Sequence, residues 1–344
     1  MITSLASFLS ASSFGRCITT TTASRTAAYR CRFGGTVVFP AKSAASATAV
    51  AVFTTARWLS VHSTFDGSEH DQVRLAREAI DSLAVTGKTW KRLGPVVSLA
   101  TSAHATTCTT TASPTGLGTV ADIGCDHGLL TFGLAATGRF KRVIGVDVSQ
   151  QALQHGGWAL VDKEHLDNND IIKSKIEFVL GNGLQPIVNQ QVDTICMAGL
   201  GFRTMQLISE PADLDRVACQ QIVVQPTNSR PHQLLQLYNH LAENCGFFVE
   251  KEHISFLSNR WYISTAFRRS TTTSTLAVKD TTARPTVLPG SLLERSDDAE
   301  QRRIYSSYVE HHIAWLRKDN LSKKTVDPHH QIWLSAIDDS NGGR

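Results

Sequence analysis

Asp122, Gly124, Asp126, His127 and Gly128 fall within one run, VADIGCDHGLLTFGLAA, and Asp147 follows in RVIGVDVS. An apolar stretch ending in Asp122-Ile-Gly124, a polar turn Cys125-Asp126-His127-Gly128 and then an apolar helical pattern predict strand, ligand-binding loop and helix. Asp147 closes a second short strand about 20 residues on, the offset at which an acidic side chain of a Rossmann-type unit takes the ribose 2′- and 3′-hydroxyls by paired acceptor bonds. The turn is no dinucleotide fingerprint, because G-x-G-x-x-G would bring three glycines to a pyrophosphate and here Asp126 stands in the turn. Its charge repels a diphosphate and attracts a sulfonium and an amino group. The cofactor expected on these residues is S-adenosyl-L-methionine.

Further candidates come from the ends of later apolar runs. Gly124 and Gly128 would let the backbone pass close to the methionine moiety, whose amino group Asp122 would anchor. In FVLGNGL, Asn182-Gly183 follows a strand where many such enzymes place an Asp that accepts from the adenine N6 amine. Asn accepts through its carbonyl oxygen, while Asn-Gly is also a common turn without a ligand, and both readings stand. The run VDTICMAGLGF ends in Ala198-Gly199-Leu200-Gly201 and carries no N-P-P-Y-like sequence. An exocyclic amine needs carbonyl acceptors as it loses its proton, whereas a ring nitrogen with a free lone pair attacks directly. A Gly-rich turn gives space for a flipped purine and offers backbone N–H groups, with Ala198 and Gly199 assigned to the cofactor and Gly201 to the substrate. The other reading is a helix start that needs glycine only for packing. In VVQPTNSR, Gln225, Thr227 and Asn228 would either hydrogen-bond the substrate over the same cleft or cap the next helix.

These residues need a scaffold. The spacing of HDQVRLAREAIDSLAVTGKTWKRLGPVVSLA predicts one or two helices, and ATTCTTTASPTG is a Thr/Ser-rich insertion, together residues 66–118. From 119 to 269 the chain alternates: strand 119–124, helix 128–137, strand 142–148, helix 149–165, strands 176–180 and 192–198, helix 201–209, strand 220–225, helix 231–244, then strands 247–256 and 260–268. Alternation predicts a mainly parallel sheet with helices on both faces, and the closing pair of strands a hairpin. That pattern matches the α/β, Rossmann-like class I methyltransferase fold with a seven-stranded sheet, here expected with a helical C-terminal extension. Residues 270–290 read as a low-complexity linker and 291–344 as a basic helical tail. On the tail, Tyr305, Tyr308, Val309, His312 and Leu316 share one stripe, the usual mark of a helix packed on something else. Arg302, Arg303, Arg317 and Lys318 fit a polyanionic substrate. The formal net charge of +4 over 344 residues is too small to establish nucleic-acid binding.

Residues 1–65 contain no acidic residue but carry Arg16, Arg25, Arg30, Arg32, Lys42 and Arg57 among many Ser, Thr and Ala. This is transit-peptide composition and predicts a disordered leader for import into an organelle, mitochondrion favoured and plastid open. The apolar run AVAVF is too short to span a bilayer, so no membrane partner is expected. Seven cysteines with no C-x-x-C predict a reduced compartment and no structural zinc. Cys125 reads as a small spacer in the turn. The pairs His311-His312 and His329-His330 point apart on a helix, and no metal is expected.

Taken in order, DIGCDHG, GVD, LGNGL, VDTICMAGLG, IVVQPTNS, NCGFFVEKE and RWYISTAFR resemble the motifs of the TrmK-like tRNA adenine-N1 methyltransferases, which modify an adenine in the D-arm region of bacterial tRNA. The similarity spans roughly residues 90 to 320. It implies that Asp126 is the catalytic carboxylate, that His127 and Gly128 shape the cofactor pocket, that tRNA is the partner and that the basic tail helps to bind it. The implied reaction is in-line attack of adenine N1 on the sulfonium methyl group, with orientation the main source of rate and no metal required. The chain departs from the pattern at Asn182 for Asp, Phe202 for Gly, Thr227 for Asn and in two Thr/Ser insertions. Two other classes remain open: a small-molecule or protein methyltransferase, and a cofactor-binding but inactive RNA-binding subunit.

Overall fold

The computed structural model describes residues 19–20, 26–30, 36–40, 69–83, 88–102, 117–162, 170–270, 288–320 and 331–335. Strands β1 (Thr19–Thr20), β2 (Thr26–Arg30) and β3 (Thr36–Pro40) form a small antiparallel sheet, rich in the β-branched Thr and Val that suit a pleated surface. A leader wholly without structure was expected here, so these strands depart from that reading. The rest of residues 1–65, the core of the first Thr/Ser insertion and most of the 270–290 linker lie outside the described residues.

Residues 62–344 form a separate unit. Its sheet contains β4 (Leu117–Ile123), β5 (Phe140–Asp147), β6 (Ile176–Leu180), β7 (Thr194–Ala198), β8 (Gln221–Gln225), β9 (Phe247–Leu257) and β10 (Arg260–Arg269). Their order is β6-β5-β4-β7-β8-β10-β9, parallel as far as β8 and antiparallel from β8 to β10 and β10 to β9. The predicted seven-stranded sheet with a terminal hairpin is the one observed. Parallel strands covered on both faces must be apolar throughout, and β5, β7 and β8 are buried along nearly their whole length. The order reverses between β4 and β7, and an open α/β sheet binds ligands at the carboxyl ends of the strands at such a point.

Period-2 alternation sorts the two faces. One carries Ile123, Ile144, Val146, Ile195, Met197, Ile222 and Val224 into a large apolar cluster. The other carries Asp122, Gln221 and Gln225; after α1 (Glu69–Leu83), helix α2 (Lys88–Thr101) bonds Gln221 and Gln225, and α3 (Leu129–Ala136) bonds Asp122. Helix α2 buries Leu93, Val96, Val97, Leu99 and Ala100. Gln221 Nε2 donates to Leu99 O (3.1 Å) and Gln225 Nε2 to Arg92 O (2.7 Å), so buried amides fix the height of α2 above the sheet.

The predicted helix 149–165 is broken at Gly156 into α4 (Gln150–His155) and α5 (Gly157–Asp162), followed by a short α6 (Asp170–Lys173). A Cβ on Gly156 would stand 2.4 Å from His127 Cα, so the helix yields where the ligand loop crosses it. After β7 come α7 (Phe202–Ile208) and α8 (Pro211–Val217), the second not foreseen although Pro211 occupies the favoured first helical position. Helix α9 (Pro231–Asn239) runs into a π-helical turn over His240–Asn244.

The tail, α10 (Ser291–Glu294) and α11 (Ala299–Asn320), is built onto the sheet. Buried Glu252 on β9 accepts from Gly290 N (2.8 Å), Leu292 N (3.1 Å) and Tyr238 Oη (2.7 Å), which orders the approach to α10. Gln301 replaces a missing strand at the sheet edge: its Oε1 accepts from Ile254 N (2.8 Å) and its Nε2 donates to Ile254 O (3.1 Å). From the expected stripe, Tyr305, Tyr308 and Leu316 are buried in the large apolar cluster, joined there by Trp333.

Candidate active site

A cleft of about 360 Å³ opens at the reversal point, over the carboxyl ends of β4, β5, β6 and β7. Its floor is Asp122, 2% exposed, whose Oδ2 accepts from Thr131 Oγ1 of α3 at 2.7 Å. Burial pushes the Asp122 carboxyl up from 3.8 to about 7; the Thr131 hydroxyl opposes this, and the charges of Asp147 and Asp126 add to it. Protonation of this floor therefore changes near neutrality, and a cation placed above it would favour the charged form.

The turn after β4 is pinned to β5. Gly124 N (2.8 Å) and Cys125 N (3.1 Å) both donate to Val146 O, and Gly128 N donates to Cys125 O (2.8 Å). Asp126, with a φ of 50°, turns its N–H onto Asp147 Oδ2 (2.8 Å), while Asp147 Oδ1 accepts from Ser149 N (2.8 Å). Two N–H bonds leave a carboxylate with further acceptor positions, so Asp147 is held rigidly and can still accept from a vicinal diol. Gly124 has a φ of 76°, and a Cβ there would meet the Leu200 side chain at 2.8 Å. Asp126 and His127 stand exposed at the cleft mouth, Asp126 Oδ1 lying 2.8 Å from His127 Nδ1. The Cys125 thiol is buried and pushed far above its usual range by desolvation and by the three neighbouring carboxylates, which leaves it inert as a nucleophile.

Asn182 and Gly183, after β6, and Ala198 and Gly199, after β7, complete the wall. Val148, 73% exposed beside Asp147, gives an apolar face of the kind a flat heterocycle covers, with Leu200 and Ile208 also lining the cleft. Nine residues were assigned to the cofactor, and eight of them line this one cleft. Gly128 does not: its φ of 77° shapes the turn, and a Cβ would strike Phe178 at 2.7 Å. Arg92 lines the cleft and was not foreseen. Its Nη1 lies 3.3 Å from the place a Gly199 Cβ would take, and it forms no salt bridge with a described residue.

The substrate candidates divide. Gln225 is corrected: it is 1% exposed, and its amide bonds Arg92 O and Ser264 Oγ (2.7 Å each), so it braces α2 and cannot reach a substrate. Gly201 is exposed at the N-cap of α7. Thr227 and Asn228 are exposed but line a neighbouring cavity. Arg302, Arg303, Arg317 and Lys318 are exposed on α11 and line neither cavity; Arg303 is paired with Glu300 at 2.7 Å, and Arg302 donates to Ser296 O. Among the described residues no His, Cys, Asp and Glu group is arranged to hold a metal, and no helix is long and apolar enough to cross a membrane.

No curated protein matches the chain in sequence. Many solved structures are similar to it, among them these three. An uncharacterized protein from Listeria monocytogenes serotype 4b has 20% identity, a TM-score of 0.47 and coverage of 72% of this chain and 94% of that one. The B. subtilis M1A22 tRNA methyltransferase TrmK has 18% identity, a TM-score of 0.47 and coverage of 74% and 95%. M. capricolum TrmK in complex with S-adenosyl-homocysteine has 20% identity, a TM-score of 0.41 and coverage of 66% and 90%. In sequence, residues 109–263 match the family model described as a methyltransferase domain. The strand order above is the Rossmann-like class I arrangement, and the segment that matches the methyltransferase-domain model supplies β4 to β9 and the start of β10.

Proposed function

We propose that the chain is an S-adenosyl-L-methionine-dependent methyltransferase acting on N1 of an adenine in tRNA. The observation that carries the reading is the convergence of Asp122 with Asp126, Asp147 and Asn182, from three separate segments, on one cleft walled by Gly183 and Gly199. Asp147 holds the ribose diol, Asn182 accepts from the adenine amine of the cofactor, and Val148 covers its ring. Asp122 and Arg92 take the amino and carboxylate ends of the methionine moiety, opposite charges at opposite ends. S-adenosyl-L-methionine, when bound, supplies the electrophilic methyl group. The chain's own part is to orient N1 in line and to exclude water. Positive charge develops on the target adenine as N1 is alkylated, and Asp126 at the mouth stabilises it or accepts the N6 proton. Because N1 lies on the pairing edge, the target base must be unpaired before it enters. The resemblance to the TrmK-like motifs supports the tRNA acceptor.

Transfer of labelled methyl groups to total organellar RNA, compared with proteins and metabolites, tests the reading, with N1-methyladenosine as the expected product. Labelled protein or metabolite with unlabelled RNA would refute it. Asp126→Asn should lower turnover by about 10²–10⁴-fold while cofactor and RNA affinities change little. Loss of cofactor binding alone would reassign Asp126 as a cofactor ligand. We also propose an organellar address for residues 1–65, mitochondrial first, which import into isolated mitochondria and plastids distinguishes.

A further inference from the structure

A second cavity of about 480 Å³ lies beside the first, walled by the loop after β8, the tip of the β9–β10 hairpin and helix α11. Among the described residues, no acidic side chain lines it. Arg230 and Arg260 are exposed at it, and neither forms a salt bridge with a described residue. Trp315 and Trp261 supply indole faces. The Arg230 guanidinium stands 5.5 Å from the Trp315 ring centroid, and Trp261 packs on His311 at 4.6 Å and on Phe256 at 4.7 Å. His312 contributes a buried Nδ1 with no hydrogen-bond partner, and burial with nearby His311, Arg230 and His232 lowers its pKa to about 4, so it stays neutral. Exposed Asn228 and Asn259 add amides at the rim.

Flat aromatic faces beside guanidiniums suit a base and a phosphate together: the π-face stacks without regard to sequence, and Arg takes a phosphate bidentately. An acidic peptide would use the arginines and leave the indoles idle. The two cavities also share a wall. Thr227 N donates to Leu200 O at 2.9 Å and Gly199 N to Gln225 O at 2.8 Å, so the loop after β8 is tied to the Gly199-Leu200 wall of the first cleft. We propose that the Arg230–Trp315 cavity is a second RNA subsite, which stacks an unpaired nucleotide next to the target and clamps its phosphate. The inference rests on the proposed RNA substrate. It explains how the strand is held open while the target adenine occupies the catalytic cleft.

Quenching of tryptophan fluorescence in the full chain by a single-stranded octanucleotide, with AMP as a parallel probe, tests it. Trp315→Leu and, as surface changes that spare the core, Arg230→Gln with Arg260→Gln should each weaken octanucleotide binding about 10- to 100-fold. Cofactor affinity by calorimetry should be unchanged in both. Unchanged octanucleotide affinity in the arginine double variant overturns the subsite, as does AMP binding as tightly as the octanucleotide, which would make it a mononucleotide site. Octanucleotide binding that depends on Trp315 in a chain that does not methylate RNA upholds the subsite and removes the proposed activity. RNA methylation with an unaltered KM in the arginine variant does the opposite.

Discussion

Asp122 is the residue whose chemistry most depends on its place. A carboxyl held near pH 7 in the folded chain and at its ordinary value when unfolded makes the folded state the better proton binder between about pH 4 and 7, so this group's contribution to stability falls as pH rises through that window. Asp122→Asn should flatten that slope in thermal melts taken across it. A cationic ligand above Asp122 favours the carboxylate. Its binding should therefore release a proton below about pH 7, and its affinity should rise with pH up to that point. Calorimetry in buffers of different ionisation enthalpy measures the release, and proton uptake on binding would contradict the cationic contact. Asp147→Ala should weaken cofactor binding by about 1.5–3 kcal/mol, the range for a charged hydrogen-bond acceptor; a folded variant with unchanged affinity would move the ribose elsewhere. Both residues were legible because their spacing is local: a strand, a turn and the next strand put them within one unit. Arg92 was not, since helical periodicity tells which residues of α2 are buried and says nothing of which strand ends they overlie. Gln225 was misread for a related reason. Sitting at a strand end suggested the cleft, but its alternation parity points it at α2.

At the scale of elements, the ligand loop is shaped as much by the helix that yields to it as by its own glycines. Gly156 divides α4 from α5, and a methyl group there would collide with His127 Cα at 2.4 Å and Ala152 O at 2.8 Å, both backbone atoms. Backbone cannot rotate away as a side chain can. Gly156→Ala should therefore cost about 1–3 kcal/mol of stability, the range for overpacking, and should also weaken the cofactor by displacing the His127 turn. A melt that falls with no change in cofactor affinity would show the helix, and not the loop, giving way. The sequence predicted one helix over 149–165 because its apolar spacing is continuous, and the Gly156-Gly157 break is explained only by the turn at His127 that crosses it, distant in sequence. The sheet was legible for the converse reason: seven runs of strand-forming residues separated by turn signals allow few topologies once parallel connections are right-handed.

At the scale of the molecule, the basic tail and the catalytic sheet share a core. From the sequence the tail read as a basic helical module beyond a low-complexity linker, with one stripe packed on a surface the spacing could not name. Yet Tyr305, Tyr308, Leu316 and Trp333 are buried in the same apolar cluster as β7 and β8, and Tyr308 Oη donates to Ser229 O at 2.7 Å. Ending the chain after Gly290 would expose that cluster and strip Gln301 from the Ile254 edge. Each buried aromatic lost costs about 3–5 kcal/mol, comparable to half a domain's stability, so the truncated chain should not fold. RNA binding by the tail has to be tested by changing its charge. Exchanging Arg302, Arg317 and Lys318 for Gln touches only exposed side chains and should leave the melting temperature within a few degrees. If those residues meet phosphates, each lost contact removes about 0.7–0.9 from the slope of log K against log salt, so the triple variant should bind tRNA with a slope shallower by roughly two to three. An unchanged slope would place the RNA on the cleft side alone and leave the outer face of α11 as ordinary solvated surface.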